Sequence, residues 1–340
     1  MPRLRRADCA QPGWTRRGHG RGFVYLDEAG RAIRDREALD RLRSLAIPPA
    51  WRDVWICPQP NGHLQAVGTD AAGRRQYLYH PAWSTRRSQE KFDRMLAFAR
   101  CLPVVRTAVA ESLEERALGK ERVLACAVRL LDLGFFRVGG EEYADGNGSY
   151  GLATLEKRHV QLLGDDRLIF DYVGKSGQHR LQGIVDPLVY ETAAELKRRR
   201  AGGTAFLAYR ERRWVDLRSS DINAFIKELA GPEFSAKDFR TWHATVLAAV
   251  GLGISTHAVT MTARKRAISR AVQEVAQYLG NTPAVCRASY IDPRVVDHYL
   301  AGQTITAVLE SLDWPLEPDA PATQGPIEEA VLDLLDGTHT

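Results

Sequence analysis

The spacing of apolar residues changes once along the chain, near residue 84, and this change favours a fold of two unlike parts. Before it, short apolar runs are separated by turn residues, as is typical of strands, at 23–26, 32–33, 54–56, 63–67 and 76–79. After it, apolar residues recur every three or four positions, as is typical of helices, over 86–101, 104–118 and 120–133. We therefore predict an α+β protein in which a small β-rich domain precedes a larger, mainly helical domain.

The limits of these domains follow from local composition. Pro81 and a polar, basic run predict a linker at 84–89, so the first domain covers 1–83 and the second covers 90–314. The second domain also contains apolar runs that predict a three-stranded sheet, at 160–163, 168–173 and 180–185. The tail, 315–340, is predicted to be a linker followed by a short acidic helix without a catalytic role.

The positive charge of the chain is concentrated near its beginning. The net charge is only +5, but six arginines and a single acidic residue, Asp8, precede Asp27. The arginines are Arg3, Arg5, Arg6, Arg16, Arg17 and Arg21. Such an arm is suited to phosphate contacts, and a solvated basic tail explains it equally well.

Several classes of protein are disfavoured by what the sequence lacks. Its apolar runs are far shorter than the roughly 20 residues of a membrane span, and its basic start leads into no apolar signal core. We therefore expect a cytoplasmic protein that does not bind a membrane. The five cysteines are scattered, without a Cys-x-x-Cys pair or a histidine at ligand spacing, so we predict neither disulfides nor a metal site.

Three isolated basic residues stand where the backbone is predicted to change direction. Arg137 follows a helix that ends at Gly134, and Lys175 lies in the turn between two strands. Arg240 lies near the start of a helix, where a cation opposes the helix dipole and therefore indicates an anionic ligand. Tyr290 falls between two short predicted helices. We predict that these four side chains meet around one phosphate.

The turn that carries Lys175 has one false resemblance. Gly174-Lys175-Ser176 looks like the end of a phosphate-binding P-loop, whose first glycine would have to occupy position 169. That position is Ile169, and the pattern after the turn predicts a strand and not a helix. We therefore exclude nucleotide binding and predict no cofactor.

The ordered set of polar motifs resembles the type IB DNA topoisomerases, and in particular their poxvirus-like bacterial branch. The residues that carry this resemblance are Arg137, Gly174-Lys175, Lys237-Asp238-Phe239-Arg240 and Leu279-Gly280-Asn281, followed nine residues later by Tyr290. The resemblance extends over roughly 20–300. It implies a monomeric enzyme whose two domains form a C-shaped clamp around double-stranded DNA.

The resemblance also implies a role for each residue of the set. Tyr290 would attack the phosphodiester and form a 3′-phosphotyrosyl intermediate, while Arg137 and Arg240 bind the non-bridging oxygens. Lys175 would protonate the leaving 5′-oxygen. Asn281 takes the position where viral and nuclear relatives usually have histidine, and its amide can donate a hydrogen bond but cannot carry a proton.

Further DNA contacts are predicted at two places. On a strand of the first domain they are Gln76, Tyr77 and Tyr79, which also fit an ordinary half-buried sheet. In a basic run of the second domain they are Arg264, Lys265 and Arg266.

Two alternative functions remain open. A tyrosine recombinase shares this chemistry, although it more often has histidine at 281 and a His-x-x-Arg motif where this chain has Lys237 and Arg240. A DNA-binding clamp without catalysis explains the charge but not the ordered polar residues.

Overall fold

The computed structural model describes residues 3–20, 22–140, 148–255, 258–312 and 324–337. The chain divides into two compact units, Met1–Asp93 and Arg94–Thr340, each of which we describe by itself. Within the described ranges, no helix has the length and apolar character needed to cross a membrane. The mixed α and β content and the antiparallel N-terminal sheet agree with the predicted fold class.

The first unit is built on an antiparallel sheet with one helix. In the described residues the sheet has five strands in the order β2-β1-β3-β4-β5. They are β1 (Trp14–His19), β2 (Gly22–Leu26), β3 (Arg52–Ile56), β4 (Leu64–Thr69) and β5 (Arg75–Tyr79). Helix α1 (Arg36–Ser44) begins at Asp35, whose carboxylate accepts a hydrogen bond from the Ala38 amide at 2.8 Å. Leu42 of this helix packs with Ile56 and Ala66 of the sheet, and all three are fully buried.

Strand β1 corrects the interpretation of the basic arm. Residues 15–19 pair with β2, whereas the apolar run at 32–33 forms only one bridge, between Leu26 and Ala32. Arg16 does not extend into solvent, because its guanidinium donates to the carbonyl of Ile47 at 2.9 Å and to that of Trp51 at 3.1 Å. Its charge therefore fixes a loop of its own unit.

A single long helix, α2 (Pro81–Leu113), replaces the predicted linker and the first two predicted helices. The polar run at 84–89 is part of this helix, and Arg86 and Arg87 support it by pairing with Glu90, at 2.9 and 3.1 Å, at helical spacing. Pro103 removes one backbone donor but does not end the helix. The division between the units, after Asp93, therefore falls inside α2.

The second unit is mainly helical and includes the predicted three-stranded sheet in the order β6-β7-β8. The strands are β6 (Val160–Leu162), β7 (Arg167–Val173) and β8 (His179–Val185), and a separate ribbon is formed by β9 (Ala208–Arg210) and β10 (Trp214–Asp216). The longer helices are α3 (Lys120–Leu133), α4 (Pro187–Arg198), α5 (Ser219–Ala230), α6 (Ala236–Ile254) and α7 (Met261–Leu279). The shorter helices are α8 (Pro283–Ser289), α9 (Pro293–Leu300), α10 (Thr306–Ser311) and α11 (Pro326–Asp336). Helix α6 is central, since Phe239, Trp242 and Ala244 have no exposed surface.

The C-terminal helix α11 is anchored in the core of this unit by a buried charge network. Arg106 binds Asp132 through two hydrogen bonds, at 2.8 and 3.0 Å, and Glu328 of α11 through two more, at 2.6 and 3.0 Å. Glu328 also accepts a hydrogen bond of 2.6 Å from the indole of Trp242 on α6. The predicted short helix is therefore present, and it is an integral part of the packing around α6.

Candidate active site

The candidate site is assembled around the C-terminal end of α7. Gly280 ends this helix in the left-handed conformation, with φ of 60° and ψ of 49°, and so turns the chain sharply. The last carbonyls of a helix lack partners within it. Two arginines supply partners here: Arg240 donates to Leu279 O at 2.7 Å, and Arg137 donates to Gly280 O at 2.9 Å. The helix end thus holds both guanidinium groups side by side.

Arg240 belongs to the second turn of α6. Asp238, in the first turn, accepts a hydrogen bond from the backbone amide of Ser235 at 2.9 Å and so caps the helix. The Arg240 guanidinium is almost entirely buried and also donates to the carbonyl of Phe135. These carbonyls explain part of its position, which the sequence attributed to an anionic ligand alone. Among the described residues its buried Nε atom has no acceptor.

Arg137 is positioned by a close backbone contact. Gly139 and Gly151 approach so closely that a Cβ atom on Gly151 would lie 2.4 Å from the Cα of Gly139. Beside this contact the amide of Leu152 donates to Arg137 O at 2.9 Å. The chain after α3 is therefore fixed in the place where the Arg137 side chain reaches the end of α7.

Asn281 follows the α7 cap and interacts with one of the arginines. Its backbone amide donates to Ala276 O at 2.9 Å, and its Oδ1 accepts a hydrogen bond from Arg137. Its Nδ2 is buried and has no acceptor in the part of the chain that the structure describes. The amide is thus oriented through its oxygen, while its nitrogen remains without an acceptor among the described residues.

Tyr290 lies at the end of α8, next to Arg240. The Arg240 Cζ is 5.4 Å from the centroid of the phenol ring. The Tyr290 amide donates to Cys286 O at 2.9 Å, and the hydroxyl of Thr245 lies 3.2 Å from Tyr290 O. Since Thr245 and Arg240 are both on α6, one helix fixes the backbone of the tyrosine and the neighbouring cation. The side chain is half-buried and not sealed in the interior.

The charges of the site act on the acidity of the phenol. Burial raises the pKa of Tyr290, but the charges of Arg240 and Arg137 outweigh it, so the pKa lies below the ordinary tyrosine value. Lys237, exposed on the first turn of α6, adds to this effect. Burial, followed by the charge of Arg137, lowers the pKa of Arg240 to about 10. The two cations repel each other, and an anion bound between them would relieve that repulsion.

Lys175 is carried by the hairpin between β7 and β8. It is exposed, and it lines a small cavity together with Arg137, Tyr150, Arg180 and Gly280. The tip of the hairpin is tight, because Ser176 has a φ of 63°. The structure therefore places all five residues of the sequence-derived set around the end of α7: Tyr290, Arg137, Lys175, Arg240 and Asn281.

The strand residues predicted to contact DNA occupy two faces of β5. Tyr77 and Tyr79 are exposed and stack on each other, with ring centroids 6.3 Å apart and planes inclined by 15°. Gln76 points to the opposite side and donates to a carboxylate oxygen of Asp70 at 2.9 Å. Successive residues of a strand alternate between its faces, so Gln76 lies on the face of β5 opposite to that of Tyr77 and Tyr79.

The predicted basic run lies in the first turns of α7. Lys265 and Arg266 are exposed. Arg264 is half-buried instead, and its guanidinium donates to Leu300 O at 2.7 Å and to Ala258 O at 3.3 Å. The Arg264 side chain thus connects α7 to the end of α9, whereas its two neighbours extend into solvent.

Sequence reasoning missed three residues that bear on the site. Arg180 of β8 binds the carbonyls at the end of α7, Thr245 contacts the backbone of Tyr290, and Lys237 acts on the phenol. Lys237 was noted only as part of a motif. Arg180 and Thr245 carry no signal in the sequence, because their contacts join segments far apart along the chain. In the described ranges, no cluster of three or more His, Cys, Asp or Glu side chains is placed to hold a metal ion.

Comparison with known proteins identifies the family. Residues 80–303 match the catalytic core of eukaryotic DNA topoisomerase I, and residues 22–70 match the N-terminal domain of bacterial DNA topoisomerase IB. DNA topoisomerase 1B of Acanthamoeba polyphaga mimivirus is 30% identical over 287 residues, which cover 82% of this chain and 85% of the viral protein. DNA topoisomerase 1B of Vaccinia virus (strain Copenhagen) is 20% identical over 274 residues, 77% of this chain and 82% of the relative. The predicted family is thereby confirmed: the chain belongs to the type IB DNA topoisomerases and carries the N-terminal domain of their bacterial branch.

Proposed function

We propose that this type IB topoisomerase relaxes supercoiled duplex DNA by cutting one strand through Tyr290 and rejoining it. The phenol oxygen forms a bond to phosphorus while the bond from phosphorus to the 5′-oxygen breaks, which leaves a 3′-phosphotyrosyl intermediate. The free strand rotates, and the 5′-hydroxyl then attacks the phosphotyrosine in the reverse reaction. One phosphoester is exchanged for another, so we propose that neither ATP nor a metal ion is required.

The observation that carries this proposal is the position of the Tyr290 phenol beside the buried Arg240 guanidinium, 5.4 Å from ring centroid to Cζ. The phenolate is the reactive nucleophile, and the charges of Arg240 and Arg137 favour it by lowering the pKa of the phenol. The same cations would neutralise the negative charge that develops on the non-bridging oxygens of the attacked phosphate. Removing one such contact from a transition state costs about 3 kcal/mol, or roughly a hundredfold in rate.

The remaining two residues complete the chemistry. The Asn281 amide keeps its buried Nδ2 donor free among the described residues and would donate it to a phosphate oxygen. Lys175, at the tip of the hairpin, would give a proton to the 5′-oxygen as it leaves. Three cations and one neutral donor therefore serve the nucleophile, the phosphate and the leaving group.

The proposal extends to the oligomeric state of the protein, its location and its DNA contacts. We propose that the protein acts as a monomer in the cytoplasm, where it would meet chromosomal DNA, and that both units contact the duplex as a C-shaped clamp. Tyr77 and Tyr79 of the first unit, and Lys265 and Arg266 of the second, are the exposed side chains that we assign to DNA contacts. Relaxation by single monomers, first order in enzyme and without synapsis of two duplexes, would distinguish this reaction from recombination.

The test is to trap the covalent adduct on a nicked oligonucleotide and to identify the linked residue and DNA end. We expect Tyr290→Phe to bind duplex DNA, to form no adduct and to relax no plasmid. Tyr190→Phe on α4 removes a phenol hydroxyl from the same unit but outside the site, and should keep both activities. Relaxation by Tyr290→Phe at the normal rate, or a 5′-linked adduct, would contradict the proposal.

A further inference from the structure

The end of α7 binds a third arginine, Arg180, that no step of the proposed reaction uses. Resting on the proposed function, we infer that Arg180 is a positioning residue. It holds the β7–β8 hairpin against the end of α7 and thereby places the Lys175 ammonium at the leaving 5′-oxygen.

The first observation is the order in which arginines take up the last carbonyls of α7. Arg180 donates to Gln277 O at 3.1 Å and to Tyr278 O at 2.5 Å. The next two carbonyls, of residues 279 and 280, accept from Arg240 and Arg137. Four successive carbonyls thus bind three guanidinium groups. The hairpin that carries Lys175 is thereby attached to the same row of four carbonyls as the two arginines proposed to bind phosphate.

The second observation is the close fit of Arg180 on both sides. Within the hairpin, a Cβ atom on Gly174 would lie 3.2 Å from the Arg180 Cγ, so the stem of the arginine covers the residue before Lys175. Toward α7, a Cβ atom on Gly280 would lie 2.8 Å from the Arg180 Nη1 and 3.1 Å from the Gln178 side-chain oxygen. Arg180 therefore fills the space between the hairpin tip and the helix cap, where glycine is the residue that leaves room for it.

The third observation concerns Lys175 itself. It is exposed, and within the described ranges no hydrogen bond or ion pair holds its ammonium. Its location depends on the turn that carries it, and that turn is closed by the Gly174 amide donating to Gln178 O at 2.7 Å. Two residues further on, Arg180 fastens this turn to α7. Both terminal nitrogens of Arg180 donate to carbonyls at the end of α7, so its side chain ties the hairpin to that helix end.

The experiment compares two leaving groups in single-turnover cleavage. One oligonucleotide has the natural 5′-oxygen at the scissile bond, and the other has a 5′-bridging sulfur, which leaves as a thiolate and needs no proton. Lys175→Ala serves as the reference for loss of the general acid. Arg180→Ala is the test variant. Arg167→Ala is the matched control, because Arg167 lies on the same sheet and, within the described ranges, its guanidinium hydrogen-bonds to Gly164 and Asp165 and not to α7.

We expect Arg180→Ala to slow cleavage of the natural substrate by about 10- to 100-fold, the cost of misplacing a reacting group by about 1 Å. The sulfur substrate should restore most of this loss, as for Lys175→Ala, and Arg167→Ala should match the parent on both substrates. The double variant of Lys175 and Arg180 should be no slower than Lys175→Ala alone, because the two changes remove one function. Binding of duplex DNA by Arg180→Ala in the Tyr290→Phe background should be unchanged.

Equal slowing of Arg180→Ala on both substrates, or weakened DNA binding, would overturn the inference and indicate a phosphate contact or a general structural role. Should Arg180→Ala fail to fold, Arg180→Lys keeps the charge and loses the two-pronged contact, and must show the same selective rescue. The variant Lys175→Ala distinguishes failure of the positioning role of Arg180 from failure of the proposed general acid. If Lys175→Ala is rescued and Arg180→Ala is not, the inference alone fails. If Lys175→Ala is not rescued either, the assignment of Lys175 as general acid fails and the positioning role fails with it.

Discussion

Replacing Arg106 by methionine tests the buried charge network that anchors α11. Arg106 is mostly buried and pairs with two carboxylates that are nearly inaccessible, Asp132 with 2% and Glu328 with 9% of the side chain exposed. Burial works against the charge of Arg106, but the hydrogen bonds and charges of both carboxylates outweigh it and raise its pKa. Methionine keeps much of the volume and removes the charge. Two buried carboxylates would then lie close together without their main cation.

The expected cost is large because the pair is buried. Removing one partner of a buried ion pair destabilises a protein by about 3–5 kcal/mol, since a charge remains without compensation. For a unit the size of the second one, this corresponds to a melting temperature lower by roughly 6–20 °C. Arg43→Met on α1 is the control, because the pair of Arg43 and Asp40 is exposed on both sides and should contribute little.

The cost should also depend on pH, and the direction of that dependence follows from the Asp132 carboxylate. In the native protein burial raises the pKa of Asp132, but hydrogen bonds and charges from His243 and Arg106 outweigh burial and hold the pKa well below its usual range. The stabilisation from this depressed pKa is present above the unfolded value of about 3.9 and is lost as pH falls through the folded pKa. Without Arg106, burial would raise the pKa of Asp132. The loss of stability relative to the parent would then be smaller at low pH and would grow as pH rises through that pKa.

Urea denaturation of both proteins at about pH 7 and about pH 5 measures this difference. The free energy of unfolding of Arg106→Met should lie furthest below that of the parent at neutral pH, and the gap should narrow at the lower pH. A gap that is the same at both values, or no larger than that of Arg43→Met, would refute the reasoning. A change in the denaturant slope would show that the units unfold separately, and calorimetry would then resolve the transition of the second unit.

Two further predictions concern the site. Arg137→Ala should slow cleavage and religation together by about a hundredfold. It should also move the pH dependence of cleavage to higher pH, because the Tyr290 phenol loses one of the charges that lower its pKa. Single-turnover rates over a pH series measure both effects, and an unshifted profile would contradict the assignment of Arg137. Asn281→His should cleave well at alkaline pH and lose activity below about pH 6.5, where the imidazolium can no longer accept a hydrogen bond from Arg137. A pH profile identical to that of the parent would show that the hydrogen bond between Arg137 and residue 281 does not matter for the reaction.

The first unit shows what a strand pattern reveals and where it misleads. The strands near 54–56, 63–67 and 76–79 were predictable because buried apolar residues recur along them. Strand β1 was missed because its residues are mostly polar and exposed, apart from half-buried Trp14 and Arg16. A strand of mostly polar and basic residues then resembles a flexible arm in the sequence. The helical linker was missed for a related reason, since its ion pairs at helical spacing look like solvated charge.

The residues of the site were predictable as a set, but their arrangement was not. Arg137 reaches Gly280 across 143 residues of sequence, and Arg180 reaches Gln277 across 97. No local pattern encodes contacts between an arginine side chain and a distant main-chain carbonyl. Motif spacing therefore suggested which groups could take part in the chemistry, whereas the helix end that gathers them became visible only in the fold.

The buried network and the candidate site meet on α6. Trp242, which donates to Glu328, lies between Arg240 and Thr245 on this helix. Arg240 is the cation beside the phenol, and Thr245 contacts the backbone of Tyr290. A displacement of α6 by about 1 Å would therefore move Arg240 and Thr245 together relative to Tyr290. In the proposed reaction, misplacement on that scale is enough to cost about a hundredfold in rate. Helix α11 thus bears directly on the helix that carries Arg240 and contacts the backbone of Tyr290.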